Sequence, residues 1–160
     1  HTTGHHVIGH ARKLVDAIDY QLDALLELVV AHVLKGIERQ ADVGFLTLYE
    51  HYGYFEVGKF LKQPRVPVWI VCSESHYSVA FSVDGSILKP QGQSTIDLVY
   101  YDELAKQEHD IILTLELGKF SEADRRATEK AGKAIVPLEA VIRTMWSSAV
   151  VNWNGRTKIL

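Results

Sequence analysis

The fold of this chain is decided by the stretch PVWIVCSESHYS, residues 67–78. Residues 68–72 are continuously apolar and mostly β-branched or aromatic, which predicts a strand buried on both faces of a sheet. Residues 73–75 form a polar break, and a second strand is predicted from His76 to Val83. We therefore expect His76 at the end of a sheet, where catalytic residues carried by strands are found.

Further strands follow along the chain. The segment Ile96–Tyr101 is predicted to be the third strand, and Asp110–Leu117 alternates between apolar and more polar residues as a half-buried fourth strand should. A short last strand is predicted at Val150–Trp153. Together these segments predict a mostly antiparallel sheet.

Helices are predicted before and after these strands. Apolar residues recur at helical spacing over Ala11–Leu34, and Asp42 is a candidate N-cap for a short helix over Val43–Tyr52. The other segments with helical character are Glu56–Lys62, Ser121–Lys133 (a solvated helix or loop) and Pro137–Trp146, where proline suits the first turn. The predicted class is α+β, with N-terminal helices followed by the sheet.

The composition and charge of the chain argue against two classes of partner, nucleic acids and membranes. The chain has 160 residues, enough for one domain with a real core, and a net charge of −3 without a Lys/Arg-rich run. Nucleic acid is therefore not an expected partner. No apolar stretch reaches the roughly 20 residues that span a bilayer, so no membrane segment is expected either.

The chain contains one cysteine, Cys72. An intrachain disulfide and a multi-cysteine zinc cage are therefore excluded, and a cytoplasmic or nuclear location is expected. Cys72 ends an apolar strand rather than beginning a helix, so we expect a small inert hydrophobe and not a nucleophile.

The histidines offer few metal ligands. His6 and His10 have helical i, i+4 spacing, but Gly9 lies between them, and neither a zincin glutamate nor a third ligand is evident. We expect frayed polar residues there, and no metal or cofactor. Taken alone, His76 is either a catalytic residue or an ordinary strand-end histidine, and chemistry leaves both open.

Hairpin geometry suggests a partner for His76. A symmetric connection centred near Lys89 pairs residues whose numbers sum to about 178, which places Asp102 opposite His76 on the same face. Asp102 could then accept a hydrogen bond from the imidazole Nδ1 and fix its orientation. The alternative is a strand-end turn aspartate. Asp97 is expected to be a surface carboxylate.

Six ordered blocks resemble the MINDY family of cysteine deubiquitinases. They are Asp42–Tyr52, Val57–Lys62, Pro67–Ser78, Asp97–Asp102, Ile142–Trp146 and Val151–Gly155. Their order and approximate spacing agree over residues 34–160, whereas residues 1–33 match poorly. We therefore expect a helical segment at 1–33 and the C-terminal part of a MINDY-type catalytic domain at 34–160.

The resemblance implies a papain-like cysteine protease fold that cleaves the isopeptide bond after the C-terminal glycine of ubiquitin, with a preference for polyubiquitin. His76 occupies the position of the catalytic histidine. The family's nucleophilic cysteine, preceded by an oxyanion-hole glutamine, lies far upstream, and neither block is present here. Glu103 stands where the family pattern has glycine. The chain starts at His1 without a signal-like segment, so we expect an upstream segment that carries the cysteine.

Two functions remain open. The first is the histidine-bearing part of a deubiquitinase, which the retained Ser73–His76 block favours. The second is an inactive pseudoenzyme that acts as a structural or interaction module in a larger assembly, which the missing cysteine favours.

Overall fold

The computed structural model describes residues 37–89, 92–105, 107–132 and 136–158. Within these ranges the chain is α+β, with one six-stranded sheet and four α-helices. The helix predicted over Ala11–Leu34, the histidines His6 and His10, and the segment 1–33 lie outside the described residues.

The strands follow one another in the sheet in chain order. β1 and β2 are parallel, and every later neighbouring pair is antiparallel. The bounds are β1 Gly44–Thr47, β2 Val68–Ser73, β3 His76–Phe81, β4 Thr95–Tyr101, β5 Ile111–Glu116 and β6 Val150–Asn152. The strands predicted from residue 68 onward are confirmed, and the mostly antiparallel sheet with them.

The helices are short. Their bounds are α1 Leu48–His51, α2 Lys59–Lys62, α3 Glu122–Lys130 and α4 Pro137–Arg143, with a 3₁₀ turn at Gly85–Leu88. Pro137 begins α4 as predicted, because a missing N–H costs nothing in the first helical turn. Among the described residues, no helix has the length and apolarity needed to cross a bilayer.

The helix predicted over Val43–Tyr52 is wrong in its first half, where the chain forms strand β1. All four residues of β1 are buried, and they pair with β2 from Gly44↔Trp69 to Thr47↔Cys72. A four-residue segment has no helical stability of its own, so pairing with a buried neighbouring strand decides its conformation.

The predicted helix cap at Asp42 is also wrong. Thr47 caps α1 instead, and its Oγ1 accepts a hydrogen bond from the Tyr49 N–H at 3.3 Å. The Asp42 carboxylate lies 3.1 Å from the Arg65 guanidinium, on the surface. The helix starts later than predicted because the strand occupies the residues between the two candidates.

The main core lies between the sheet and α4, and Trp69 is at its centre. The indole ring of Trp69 is buried, and its Nε1 donates to the Lys62 carbonyl at 2.8 Å. The ring packs edge-on against the ring of Trp146, with 5.4 Å between the ring centroids. A smaller cluster of Phe45, Val57 and Cys72 covers the other face of the sheet. The two faces of β2 are therefore both buried, as its sequence predicts.

Gly44 has no room for a side chain. A Cβ there would lie 2.3 Å from the Trp69 Cδ1 and 2.8 Å from the Leu61 carbonyl oxygen. Gly44→Ala should lower the free energy of unfolding by about 1–3 kcal/mol, the usual range for overpacking. Chemical denaturation checks this. Gly85→Ala is the matched control, because a Cβ there meets nothing within 4 Å, and it should stay within about 0.5 kcal/mol of wild type.

Candidate active site

A tight turn fixes the position of His76. Ser73 and His76 are paired across strands β2 and β3, with only Glu74 and Ser75 between them. Glu74 adopts a φ of 57°, a left-handed conformation that is costly for a residue with a side chain. The Cys72 thiol donates to the Glu74 carbonyl at 3.2 Å and supports this turn.

The structure brings His76 and Asp102 together. The imidazole Nε2 lies 2.9 Å from the carboxylate Oδ2. An ionised carboxylate only accepts hydrogen bonds, so Nε2 is the donor in this contact, and in a neutral imidazole Nδ1 then keeps its lone pair. The sequence predicted this contact through Nδ1, and the atom is instead Nε2. The catalytic role of the pair stays a prediction.

The two members of the pair differ in exposure. The His76 side chain is 16% exposed, whereas that of Asp102 is 4% exposed. The carboxylate is thus shielded by protein while the imidazole keeps an accessible edge. This is the arrangement needed if a second segment is to bring a reacting group to the imidazole.

The strand register differs from the prediction by an even number of residues. The β3–β4 ladder pairs residues whose numbers sum to 180, from Val79↔Tyr101 to Phe81↔Val99, rather than 178. Successive side chains alternate between faces, so a change of two leaves Asp102 on the face of His76. The ladder ends before either residue, and side chains alone make the contact.

Two neighbours in the loop after β4 hold Asp102. The Leu104 N–H donates to the Asp102 Oδ1 at 3.0 Å, while Oδ2 points to His76. The Asp102 N–H donates to the side-chain Oε1 of Gln107, whose Nε2 donates to the Tyr100 carbonyl at 3.2 Å. Sequence reasoning missed Gln107, because an amide in a polar loop gives no signal of what it contacts.

Tyr100 adds a polar group beneath Asp102. The pKa of the Tyr100 hydroxyl is raised to about 12: burial is the largest cause, a hydrogen bond with Ser78 opposes it, and the charge of Asp102 and a hydrogen bond to Asp102 add to the rise. The hydroxyl therefore stays protonated at neutral pH and can donate towards the carboxylate.

Cys72 does not share a site with His76. Ser73 is paired with His76, and adjacent strand residues face opposite sides, so Cys72 faces the other side of the sheet. Its side chain is buried, and this burial raises the pKa of the thiol more than hydrogen bonds from Tyr77 and Thr47 lower it. Both observations support the interpretation of Cys72 as an inert core residue.

Other polar residues take structural positions. Asp97 is exposed and accepts from the Thr114 hydroxyl at 2.6 Å, as expected for a surface carboxylate. Trp153 is buried and its Nε1 donates to Glu139 at 2.9 Å, so it packs in the core. Glu103, at the position of the expected glycine, accepts from the Tyr101 hydroxyl.

Among the described residues, no cluster of His, Cys, Asp and Glu could hold a metal ion.

A cavity of about 670 Å³ lies beside α1, α3 and α4. In its wall, Glu139 is ion-paired with Arg143 and Lys158. His76 and Asp102 are not among the residues that line it. The cavity is therefore separate from the candidate active site.

An accessible imidazole oriented by a buried carboxylate is the geometry of the base in hydrolases with a side-chain nucleophile. A profile described as "Deubiquitinating enzyme MINDY-3/4, conserved domain" matches residues 7–155. The chain therefore belongs to the MINDY-3/4 family of deubiquitinating enzymes.

Curated relatives agree with this assignment. The chain is 46% identical over 129 residues to the mouse protein named "Probable ubiquitin carboxyl-terminal hydrolase MINDY-4", covering 80% of this chain and 17% of the relative. The human protein of the same name is 44% identical over 80% of this chain and 16% of its own length. Zebrafish "Ubiquitin carboxyl-terminal hydrolase MINDY-3" is 49% identical over 38% of this chain and 14% of its own length.

The chain thus spans about a sixth of the length of the MINDY-4 relatives. No solved structure matches it. The family is established by sequence, and the α+β fold by the structure.

The left-handed conformation of Glu74 predicts a stabilising substitution. Glu74→Gly should raise the free energy of unfolding by about 0.5–1 kcal/mol, because relief of the left-handed penalty exceeds the entropic cost of glycine. Ser75→Gly is the control: Ser75 has no positive φ, so it should lower the free energy of unfolding by about 0.5–1 kcal/mol. Equal effects of the two substitutions in denaturant titrations would contradict this account of the turn.

Proposed function

We propose that this chain is the histidine-bearing part of a thiol-dependent deubiquitinase that hydrolyses isopeptide bonds in polyubiquitin. The observation that carries the proposal is the 2.9 Å contact between the partly accessible His76 imidazole and the buried Asp102 carboxylate. Under this proposal the nucleophilic cysteine comes from a segment upstream of the described residues, and the two parts form a papain-like site.

Under this proposal each group has a role in the reaction. His76 Nδ1 takes the proton of the incoming thiol, and the thiolate attacks the isopeptide carbonyl. The imidazolium then returns the proton to the departing lysine amine, and water hydrolyses the resulting thioester. Asp102 holds the imidazole orientation and stabilises its positive charge during this exchange.

An inactive module is the second candidate. It is favoured by one observation: Cys72, the one cysteine among the 160 residues, faces away from His76. If the complete protein has no other cysteine, it would be inactive and would act by binding ubiquitin or as a structural subunit of a larger assembly. Labelling by a thiol-reactive ubiquitin probe separates the two candidates, since only the enzyme has a reactive thiol.

The same proposal includes a location. A free, buried Cys72 and a thiol nucleophile both suit a reducing compartment, where thiols stay reduced. We therefore propose that the protein acts in the cytoplasm or the nucleus, and imaging of the tagged complete protein tests this.

The histidine assignment is tested in the complete protein with ubiquitin chains as substrate. His76→Ala should lower the rate of chain cleavage by about a thousandfold or more, since the thiol loses its base. Cys72→Ala should retain most of the activity, and the folded state of both variants is checked by circular dichroism. An active His76→Ala variant together with an inactive Cys72→Ala variant would refute the site assignment.

The 160-residue chain alone gives a second test. It should show no labelling by a ubiquitin-based thiol probe, because the Cys72 thiol is buried, has a raised pKa and faces away from His76. Mass spectrometry of the probe-treated chain measures this. Strong labelling that Cys72→Ala removes would make Cys72 the nucleophile after all.

A further inference from the structure

We infer that Gln107 is a positioning residue: its side-chain amide stands in for a strand partner and holds Asp102 where it orients His76. The inference rests on the proposed function above. The side chain of Gln107 binds the backbone of Asp102 and Tyr100, so its effect on catalysis is expected to pass through Asp102.

Asp102 lies one residue beyond the paired part of its strand. The ladder between β3 and β4 ends at Val79↔Tyr101, and the ladder between β4 and β5 ends at Tyr100↔Ile111. Asp102 is nevertheless buried. A buried N–H must have a partner, and here the strands supply none.

The Gln107 amide supplies that partner. Its Oε1 accepts from the Asp102 N–H at 2.5 Å, and its Nε2 donates to the Tyr100 carbonyl at 3.2 Å. A carbonyl and an N–H two residues apart on one strand edge are the groups that one residue of a parallel neighbouring strand would bind. Gln107 therefore extends the hydrogen bonding of β4 by one residue, as a residue of a parallel neighbouring strand would.

This extension fixes the direction of the carboxylate. With its backbone held by Gln107 and its Oδ1 held by the Leu104 N–H, Asp102 presents Oδ2 to the His76 Nε2. Without the amide, the end of the strand can rotate and the carboxylate shifts. A displacement of about 1 Å in a catalytic group can lower a rate about a hundredfold.

The first test uses steady-state cleavage of ubiquitin chains by the complete protein. Gln107→Met keeps the length of the side chain and removes both hydrogen bonds. It should lower kcat by about 10- to 100-fold with KM within about twofold, because substrate binding is not touched. Gln63→Met, an exposed position at the end of α2, is the matched control and should behave as wild type.

A conservative variant separates positioning from folding. Gln107→Glu still accepts from the Asp102 N–H, loses the donor to Tyr100 and adds a negative charge near the pair. It should recover much of the kcat that Gln107→Met loses. The acid limb of its pH–rate profile should move to higher pH, because the added charge favours the protonated imidazole. A loss of fold alone would produce neither the recovery nor the shift.

The second readout does not depend on activity. In complete protein carrying ¹⁵N-labelled histidine, the hydrogen-bonded Nε2 proton of His76 should give an NMR signal that His76→Ala removes. Gln107→Met should lose this signal while circular dichroism shows a folded protein, and Gln107→Glu and Gln63→Met should keep it.

The outcomes are distinguishable. If Gln107→Met and Gln107→Glu match wild type in kinetics and in the His76 signal, the inference about Gln107 is wrong. An inactive His76→Ala variant would in that case leave the proposed function standing. If wild-type protein itself cleaves no chains, the proposed function fails, and the NMR signal alone decides whether Gln107 positions the pair.

Discussion

The buried indole of Trp69 contacts three separate parts of the chain, and the position of β2 depends on those contacts. It packs on Gly44 of β1, donates to the carbonyl of Lys62 at the end of α2, and meets Trp146 beyond α4. One side chain of β2 thus contacts a strand, the end of a helix and the turn after another helix. The tight turn that positions His76 follows directly on β2, so its place depends on the same contacts.

Most of the sheet could be predicted because its strands have local signatures. Continuous apolar residues mark residues 68–72 of β2, and alternation of apolar and polar side chains marks residues 113–116 of β5. The segment Gly44–Thr47 could not be predicted in this way. Its strand conformation follows from pairing with β2 and from a glycine that lets the Trp69 ring approach, and neither fact is visible in a four-residue window.

The candidate site was partly predictable for a similar reason. Approximate hairpin symmetry sufficed to place Asp102 on the face of His76, because an error of two residues preserves the face. The choice of Nε2 over Nδ1 depends on a side-chain rotamer, which sequence spacing does not determine. The contact of Gln107 depends on how an irregular loop folds back, so no periodic pattern could reveal it.

The pair and the connection between its strands lie at opposite ends of the β3–β4 hairpin. His76 begins β3 and Asp102 follows β4, whereas the chain joins these strands between Phe81 and Thr95, at the far end of the ladder. The entropy of closing a loop changes only slowly with its length. Insertions or deletions in that connection can therefore accumulate over evolution while the separation of imidazole and carboxylate stays the same. Because surface loops tolerate insertions and deletions, this placement keeps changes in loop length away from the His76–Asp102 contact.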